Sequence, residues 1–343
     1  MVSVSLAYFA AGGPADPSAG PYAVLLGTAR LADEAGLEAV WLPERHFGDF
    51  GSPFPNPAVP AAAVAATTRH VGIRAGSVVL PLHHPARVAE EWAVVDRLSG
   101  GRAGVSFASG WHGADFVLSR FDADERRRVM RDGIDAVRAL WRGDPWTFED
   151  ASGRPVEVRT QPRPAQPELP MWITSGGSVG TFELAGTLRA GLLTHLVGQT
   201  PGELREKIAA YRKTRSEHGD GRGHVTLMLH THVHDGSRAA ADRAERELAR
   251  YLTSSMRLDV SNVAAASDAA AVGGLGDADR GAIAAAGAAR YVRGGLVCAA
   301  GDVQERLAEV ASWDVDEVAC LIDFGFDHGA ILAGVDALLS VLA

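Results

Sequence analysis

The chain has 343 residues, enough for one large domain or two ordinary ones, and an eightfold barrel with insertions falls in this range. Its hydrophobic content of 47% supports a substantial core, and its net charge of −9 argues against nucleic-acid binding and against attraction to an anionic membrane surface. Two cysteines, Cys298 and Cys320, form neither a disulfide framework nor a zinc spacing, and only two lysines occur, Lys207 and Lys213, both in one polar segment.

The first residues, MVSVSLAYFAAGG, lack a basic region and run straight into a strand pattern, so no signal peptide is expected and the setting is read as cytoplasmic. No apolar stretch approaches the roughly 18 residues of a membrane span.

The elements alternate strand and helix, which predicts a parallel sheet. A first strand, Val2–Ala10, leads through a Gly/Pro loop to a helix near Tyr22–Ala35, stopped by Gly36. A second strand, Leu37–Pro43, is followed by an Ala/Val helix, Pro57–Thr67. A third strand spans Val71–Leu80, and its helix, Pro85–Leu98, opens on proline. A fourth strand, Arg102–Ala108, precedes a helix whose Met130, Ile134, Val137 and Trp141 share one face.

Thr147–Pro170 is polar and proline-rich and reads as a long connection with at most short strands. Met171–Thr174 and Leu192–Val197 are the fifth and sixth strands, with a charged helix over Glu203–His218. The seventh strand is Thr226–Val233, followed by a helix over Arg238–Thr253. Val263–Ala289 is rich in Ala and Gly and resists placement. A helix at Asp302–Ser312, an eighth strand at Glu317–Asp323 and a last helix at Ala330–Leu342 complete eight strand–helix units. This predicts a (β/α)8 TIM barrel with an insertion, residues 254–295, between strands seven and eight.

In such a barrel the carboxyl ends of the strands meet at one mouth, where catalytic groups gather. Glu44-Arg45-His46 follows the second strand, His83 and His84 the third, and Ser109-Gly110-Trp111-His112 the fourth. His195 lies at the sixth strand, His230, His232 and His234 on the seventh, and His328 after the eighth. His230 and His232 share a face by alternation, but no early His-x-His pair or strand lysine accompanies them, so no metal centre is expected. Ser175-Gly176-Gly177-Ser178 sits between a strand and a helix, where glycines admit a ligand and the helix start favours an anion; an ordinary serine-capped turn is the alternative. No Rossmann fingerprint follows the first strand.

Three segments, LPERHFGDFGSPFPNP, SVVLPLHHPARVAEEWAVVDRLSGGR and VSFASGWHGADF, taken in order, resemble the bacterial luciferase-like flavin monooxygenases, in particular a branch found in polyketide and nonribosomal-peptide biosynthesis. VTLMLHTHV and EVACLIDFG continue the likeness. The resemblance implies a single luciferase-like barrel over residues 1–343, dimeric through the second and third helices. It implies reduced FMN from a separate flavin reductase, and molecular oxygen as co-substrate.

Residue by residue, the family's non-proline cis peptide under the flavin ring matches Gly76-Ser77, its strand-four flavin contact matches Ala108-Ser109-Gly110-Trp111, and its phosphate loop matches Ser175, Gly176, Gly177 and Ser178. The light emitters carry a catalytic histidine where this chain has Arg45, so light emission is not expected and His46 becomes the candidate imidazole, with His84 and His112 behind it. They also carry an arginine near the phosphate where this chain has Ser109. Arg45 is a candidate for a substrate carboxylate, phosphate or thioester oxygen, with a salt bridge to Glu44 as the alternative.

The expected activity is oxygenation of a small or carrier-protein-tethered intermediate. The alternatives are a deazaflavin-dependent hydride transfer on the same fold and a non-catalytic flavin-binding accessory protein.

Overall fold

The computed structural model of the chain describes residues 2–9, 22–47, 54–219, 221–265 and 295–343. Eight parallel strands close into a barrel: β1 (Ser3–Ala7), β2 (Ala39–Leu42), β3 (Gly72–Val79), β4 (Ala103–Ala108), β7 (Met171–Ser175), β8 (Gly191–His195), β9 (Val225–His234) and β11 (Glu317–Leu321). Closure is made by β8 against β9, with Leu192 opposite Val225, and by β9 against β11 and β11 against β1. The predicted TIM barrel is therefore present.

Helices alternate with these strands: α1 (Ala23–Glu34), α2 (Ala58–Thr67), α3 (Pro85–Ser99), α4 (Arg126–Arg142), α5 (Val179–Thr187), α6 (Pro201–His218), α7 (Arg238–Ala265), α8 (Val303–Ala311) and α9 (His328–Leu342). Their starts follow local chemistry. Thr200 and Glu203 form a reciprocal capping box ahead of α6, and Asp327 accepts the Ala330 N–H at the start of α9. α4 buries Met130, Ile134, Val137 and Trp141, the face the spacing predicts. No helix among the described residues is long and apolar enough to cross a membrane.

The short strands allowed in the polar connection do form, and two further features differ from the sequence reading. The polar connection after α4 folds into an antiparallel hairpin, β5 (Trp146–Glu149) with β6 (Pro155–Val158). A four-residue strand, β10 (Leu296–Ala299), pairs with the outer half of β9, Leu296 opposite Thr231. It was invisible because four apolar residues carry no period. Finally, α7 runs on to Ala265, into the Ala/Gly-rich stretch; the rest of that stretch lies outside the described residues.

Alternation along the strands puts one set of side chains inside the barrel and the other under the helices. The inner set holds Ala7, Trp41, Trp172, Leu193, Met228, Ala319 and Leu321, a cluster separate from the main core. Trp41 stands edge-on to Trp172 at 5.1 Å. Toward the strand starts the interior turns polar around Glu317, which is fully buried. Its carboxylate accepts hydrogen bonds from Ser5, from Trp41 Nε1 at 2.9 Å, Arg74 at 2.7 Å, His224 Nε2 at 2.8 Å and Thr226 at 3.1 Å.

Burial alone would raise the Glu317 pKa, but these donors and the Arg74 charge outweigh it and push the value down to about 2. A depressed carboxylate pKa stabilises the fold fully above the unfolded value, and that contribution is lost as pH falls toward the folded one. We therefore expect urea-unfolding stability to decline between about pH 4.5 and pH 2. Glu317→Gln, which removes the buried one of Arg74's two carboxylate partners and leaves the pair with Glu38 at 2.7 Å, should cost about 1–3 kcal/mol near neutrality and flatten that acid limb.

Candidate active site

Pro43 ends β2 and the chain enters the mouth as Glu44-Arg45-His46. Glu44 is buried and works as a hub. Its Oε1 receives His46 Nε2 at 2.8 Å and His83 Nε2 at 2.7 Å, and its Oε2 receives the Val79 N–H at 2.8 Å. Burial acts to raise the Glu44 pKa, but the two imidazoles and the backbone N–H bring it below the ordinary carboxylate range. Burial likewise lowers His83, yet its bond to Glu44 and the charges of Glu44 and Glu91 carry its pKa above the usual imidazole value. An ionised carboxylate only accepts, so both Nε2 atoms carry protons and His46 Nδ1 is the nitrogen left for chemistry.

Arg45 does not take the Glu44 salt bridge weighed as its alternative. Its guanidinium lies over the Phe9 ring at 4.0 Å and over Trp111 at 4.9 Å, so cation–π stacking joins the ends of β1, β2 and β4. Trp111 remains 43% exposed, a large aromatic face at the mouth, whereas Trp41 belongs to the interior core.

The remaining predicted segments fall on β3, β4 and β7, which follow β2 consecutively around the barrel. The Gly76-Ser77 peptide is cis, as the resemblance implies, and the β3–β4 register shifts between Gly76 and Val78. A Cβ at Gly76 would stand 3.2 Å from the Trp41 ring. After β4, Ala108 and Ser109 lead to Gly110, whose φ of +84° suits glycine; a side chain there would also meet Val79 at 3.0 Å. After β7, Ser175 Oγ accepts the Gly177 N–H at 3.2 Å, and Ser178 precedes α5 without a side-chain cap of its own.

His84 and His112 have other duties. His84 Nδ1 accepts the Ala86 N–H at the start of α3, and its ring packs on Phe148 at 4.5 Å. It faces a lateral cavity of about 340 Å³ bounded by Leu80–Pro85, Leu118–Phe121, α4 and the hairpin. Gly76, Ser109 and Ser175 do not line that cavity, so it lies beside the mouth. His112 Nδ1 pairs with Asp115 at 2.9 Å, within the turn that follows β4.

Two inward groups were counted among the rim histidines but not singled out. His195 follows Leu193, and His230 follows Met228, each two residues further along an inward face. Burial holds both below the usual imidazole range, His230 at about 3 with the neighbouring His195 adding to the effect. For His195 the Lys207 charge acts in the same direction, against a backbone contact from Val197. His232 leaves this group: it stacks on Phe326 at 3.9 Å, and burial brings it to about 4. Asp323 binds the Phe9 N–H through both oxygens, at 2.7 and 2.9 Å. Among the described residues no group of three or more His, Cys, Asp or Glu is arranged to hold a metal ion.

A sequence profile described as luciferase-like monooxygenase matches residues 2–317. The chain belongs to that family. It is 30% identical over 162 residues to the oxygenase component of the flavin-dependent trigonelline monooxygenase of Acinetobacter baylyi, covering 45% of this chain and 43% of the relative. It is 30% identical over 222 residues to 4-hydroxyprotoasukamycin monooxygenase of Streptomyces nodosus subsp. asukaensis, covering 62% and 60%. The matches thus span about half the length of these relatives. The oxygenating constituent of 3,6-diketocamphane monooxygenase of Pseudomonas putida, a type II Baeyer–Villiger enzyme in complex with FMN, superimposes with a TM-score of 0.75 at 15% identity, over 100% of this chain and 98% of that one. At that identity the likeness speaks for the fold.

Glu44 is the group on which the β2–β3 side of the mouth depends. Replacing it by Gln should remove about 1–3 kcal/mol of stability by urea titration, because two buried imidazole N–H groups lose a charged acceptor. In the same variant the His83 pKa, followed by NMR, should fall below that of the wild type, since burial is then opposed only by the Glu91 charge.

Proposed function

We propose that the protein is a flavin-dependent monooxygenase that uses reduced FMN and molecular oxygen. The observation that carries this reading is the succession of Glu44–His46, Gly76-Ser77, Ala108–Trp111 and Ser175–Ser178 along four neighbouring strands. The residues fit the cofactor: the glycines at 176 and 177 leave room for a close approach, and the helix start of α5 behind them favours a phosphate. Bound reduced FMN supplies the activation of oxygen, one atom going to the substrate and the other leaving as water.

The protein's own part is protonic and steric. Ionised Glu44 orients His46 through Nε2, leaving Nδ1 to exchange a proton with the substrate or the reacting oxygen. Arg45, stacked between Phe9 and Trp111, presents a fixed positive charge to an anionic or carbonyl group of the substrate. Trp111 forms an aromatic wall for the ring system. The substrate we infer is a small intermediate of secondary metabolism, free or tethered to a carrier protein. A separate reductase delivers the flavin, a reading supported by the name "oxygenase component" of a relative.

Anaerobic titration should show reduced FMN binding more tightly than oxidised FMN; tight binding of a deazaflavin with no affinity for reduced FMN would point to hydride transfer instead. His46→Ala should keep flavin binding while product yield falls by about 10²–10⁴-fold, with the reduced flavin reoxidised by oxygen, which is released as hydrogen peroxide. Unchanged product yield in that variant would remove His46 from the chemistry. Intact flavin binding without turnover of any carrier-bound or free candidate would favour an accessory protein.

We also infer a homodimer through α2 and α3. Val88, Trp92 and Val95 are buried within the chain, whereas Val59, Val94 and Leu98 stand 68%, 42% and 53% exposed. Val94→Glu with Leu98→Glu should yield monomers in sedimentation at micromolar concentration if these helices form the interface.

A further inference from the structure

The phosphate end of the cofactor sets a charge problem. A phosphate monoester carries between one and two negative charges near neutrality. A helix start offsets the equivalent of only about half a charge. Where the light-emitting members of the family have an arginine, this chain has Ser109.

A cation does stand at the phosphate loop, from an element the loop's own sequence does not contain. Lys207 lies in the second turn of α6. A Cβ built on Gly177 would fall 3.5 Å from the Lys207 Nζ and 3.6 Å from the Gln199 Oε1, so both groups border the loop at its glycine of positive φ, +116°. The ammonium is held there: Nζ donates to Gln199 Oε1 at 2.8 Å, and Gln199, only 3% exposed, anchors its own Nε2 on the His195 carbonyl at 2.5 Å.

That anchor is neutral. Among the described residues no carboxylate forms an ion pair with Lys207, and Glu203, one turn earlier, turns its Oε2 to Thr200. Beneath the loop, the His195 ring lies 3.7 Å from the position of a Cβ on Gly176. Its Nδ1 is sealed from solvent with no hydrogen bond of good geometry among the described residues. A half-buried cation with only a neutral partner, beside glycine backbone and an uncapped helix start, is a site built for an anion.

We propose that Lys207 is the phosphate-binding cation of this protein, gripping the FMN monoester together with the glycine loop and the helix start of α5 and taking over the task of the missing strand-four arginine. Gln199 is the positioning residue that holds the ammonium over the loop. The consequence is a preference for FMN over riboflavin that is set by α6. This inference rests on the reading of the protein as an FMN enzyme.

The test is binding, not turnover. Dissociation constants for FMN and for riboflavin are measured by flavin fluorescence, at low and high salt, for the wild type, Lys207→Gln and Lys207→Arg. Lys207→Gln should weaken FMN by about ten- to a hundredfold, leave riboflavin unchanged and reduce the salt dependence, while Lys207→Arg retains most of the FMN affinity. Riboflavin serves as the internal control for folding. An FMN affinity untouched in Lys207→Gln, or FMN and riboflavin weakened alike, overturns the assignment of Lys207 and leaves the FMN reading standing. A wild type that binds neither flavin, oxidised or reduced, overturns both.

Discussion

The barrel depends on one buried carboxylate. Glu317 opens the eighth barrel strand and gathers donors from β1, β2, β3, β9 and the residue before β9. Five donors on one carboxylate, one of them a guanidinium, satisfy a charge that would otherwise be prohibitive inside the fold. They also tie the starts of strands far apart in sequence, Ser5 and Glu317 being separated by 312 positions. Above this polar floor come Trp41, Trp172, Leu193 and Met228, so the barrel is filled from below and stays open only at the other end.

The mouth repeats the device on a smaller scale. Glu44 does for the ends of β2 and β3 what Glu317 does for the strand starts, one buried anion organising groups that would not otherwise stay together. The difference lies in the partners. Glu317 is locked by an arginine that cannot lose its proton, whereas Glu44 is held by two imidazoles that can. The floor thus keeps its charge near neutrality, far above the depressed Glu317 value.

The two sides of the mouth also differ in charge. On the β2–β4 side stand an anion, its imidazoles and the stacked Arg45. On the β7–β9 side stand two neutral buried histidines, a glycine loop and a lysine reaching in from α6. A ligand with an anionic tail and an extended planar ring matches that asymmetry, and it follows from which side chains the barrel turns inward.

How much of this was legible in the chain follows from the range of each interaction. Alternating strand and helix patterns, Gly36 and the capping of α6 are local signals, so the eightfold architecture and most boundaries could be read directly. Glu44, Arg45 and His46 announced the mouth because strand ends have a known fate in a parallel barrel. The four-residue β10 was missed because its pairing with β9 carries no local period. Which partner each polar group chose was decided by the tertiary structure alone. Arg45 stacked on Phe9, while Glu44 took His83 from 39 residues away. Likewise, a lysine in the polar sixth helix reached the glycine loop after β7 only once α6 lay beside α5. Hydrogen bonds and charges act over a few ångströms of space, and only the closed fold determines which residues come within that distance.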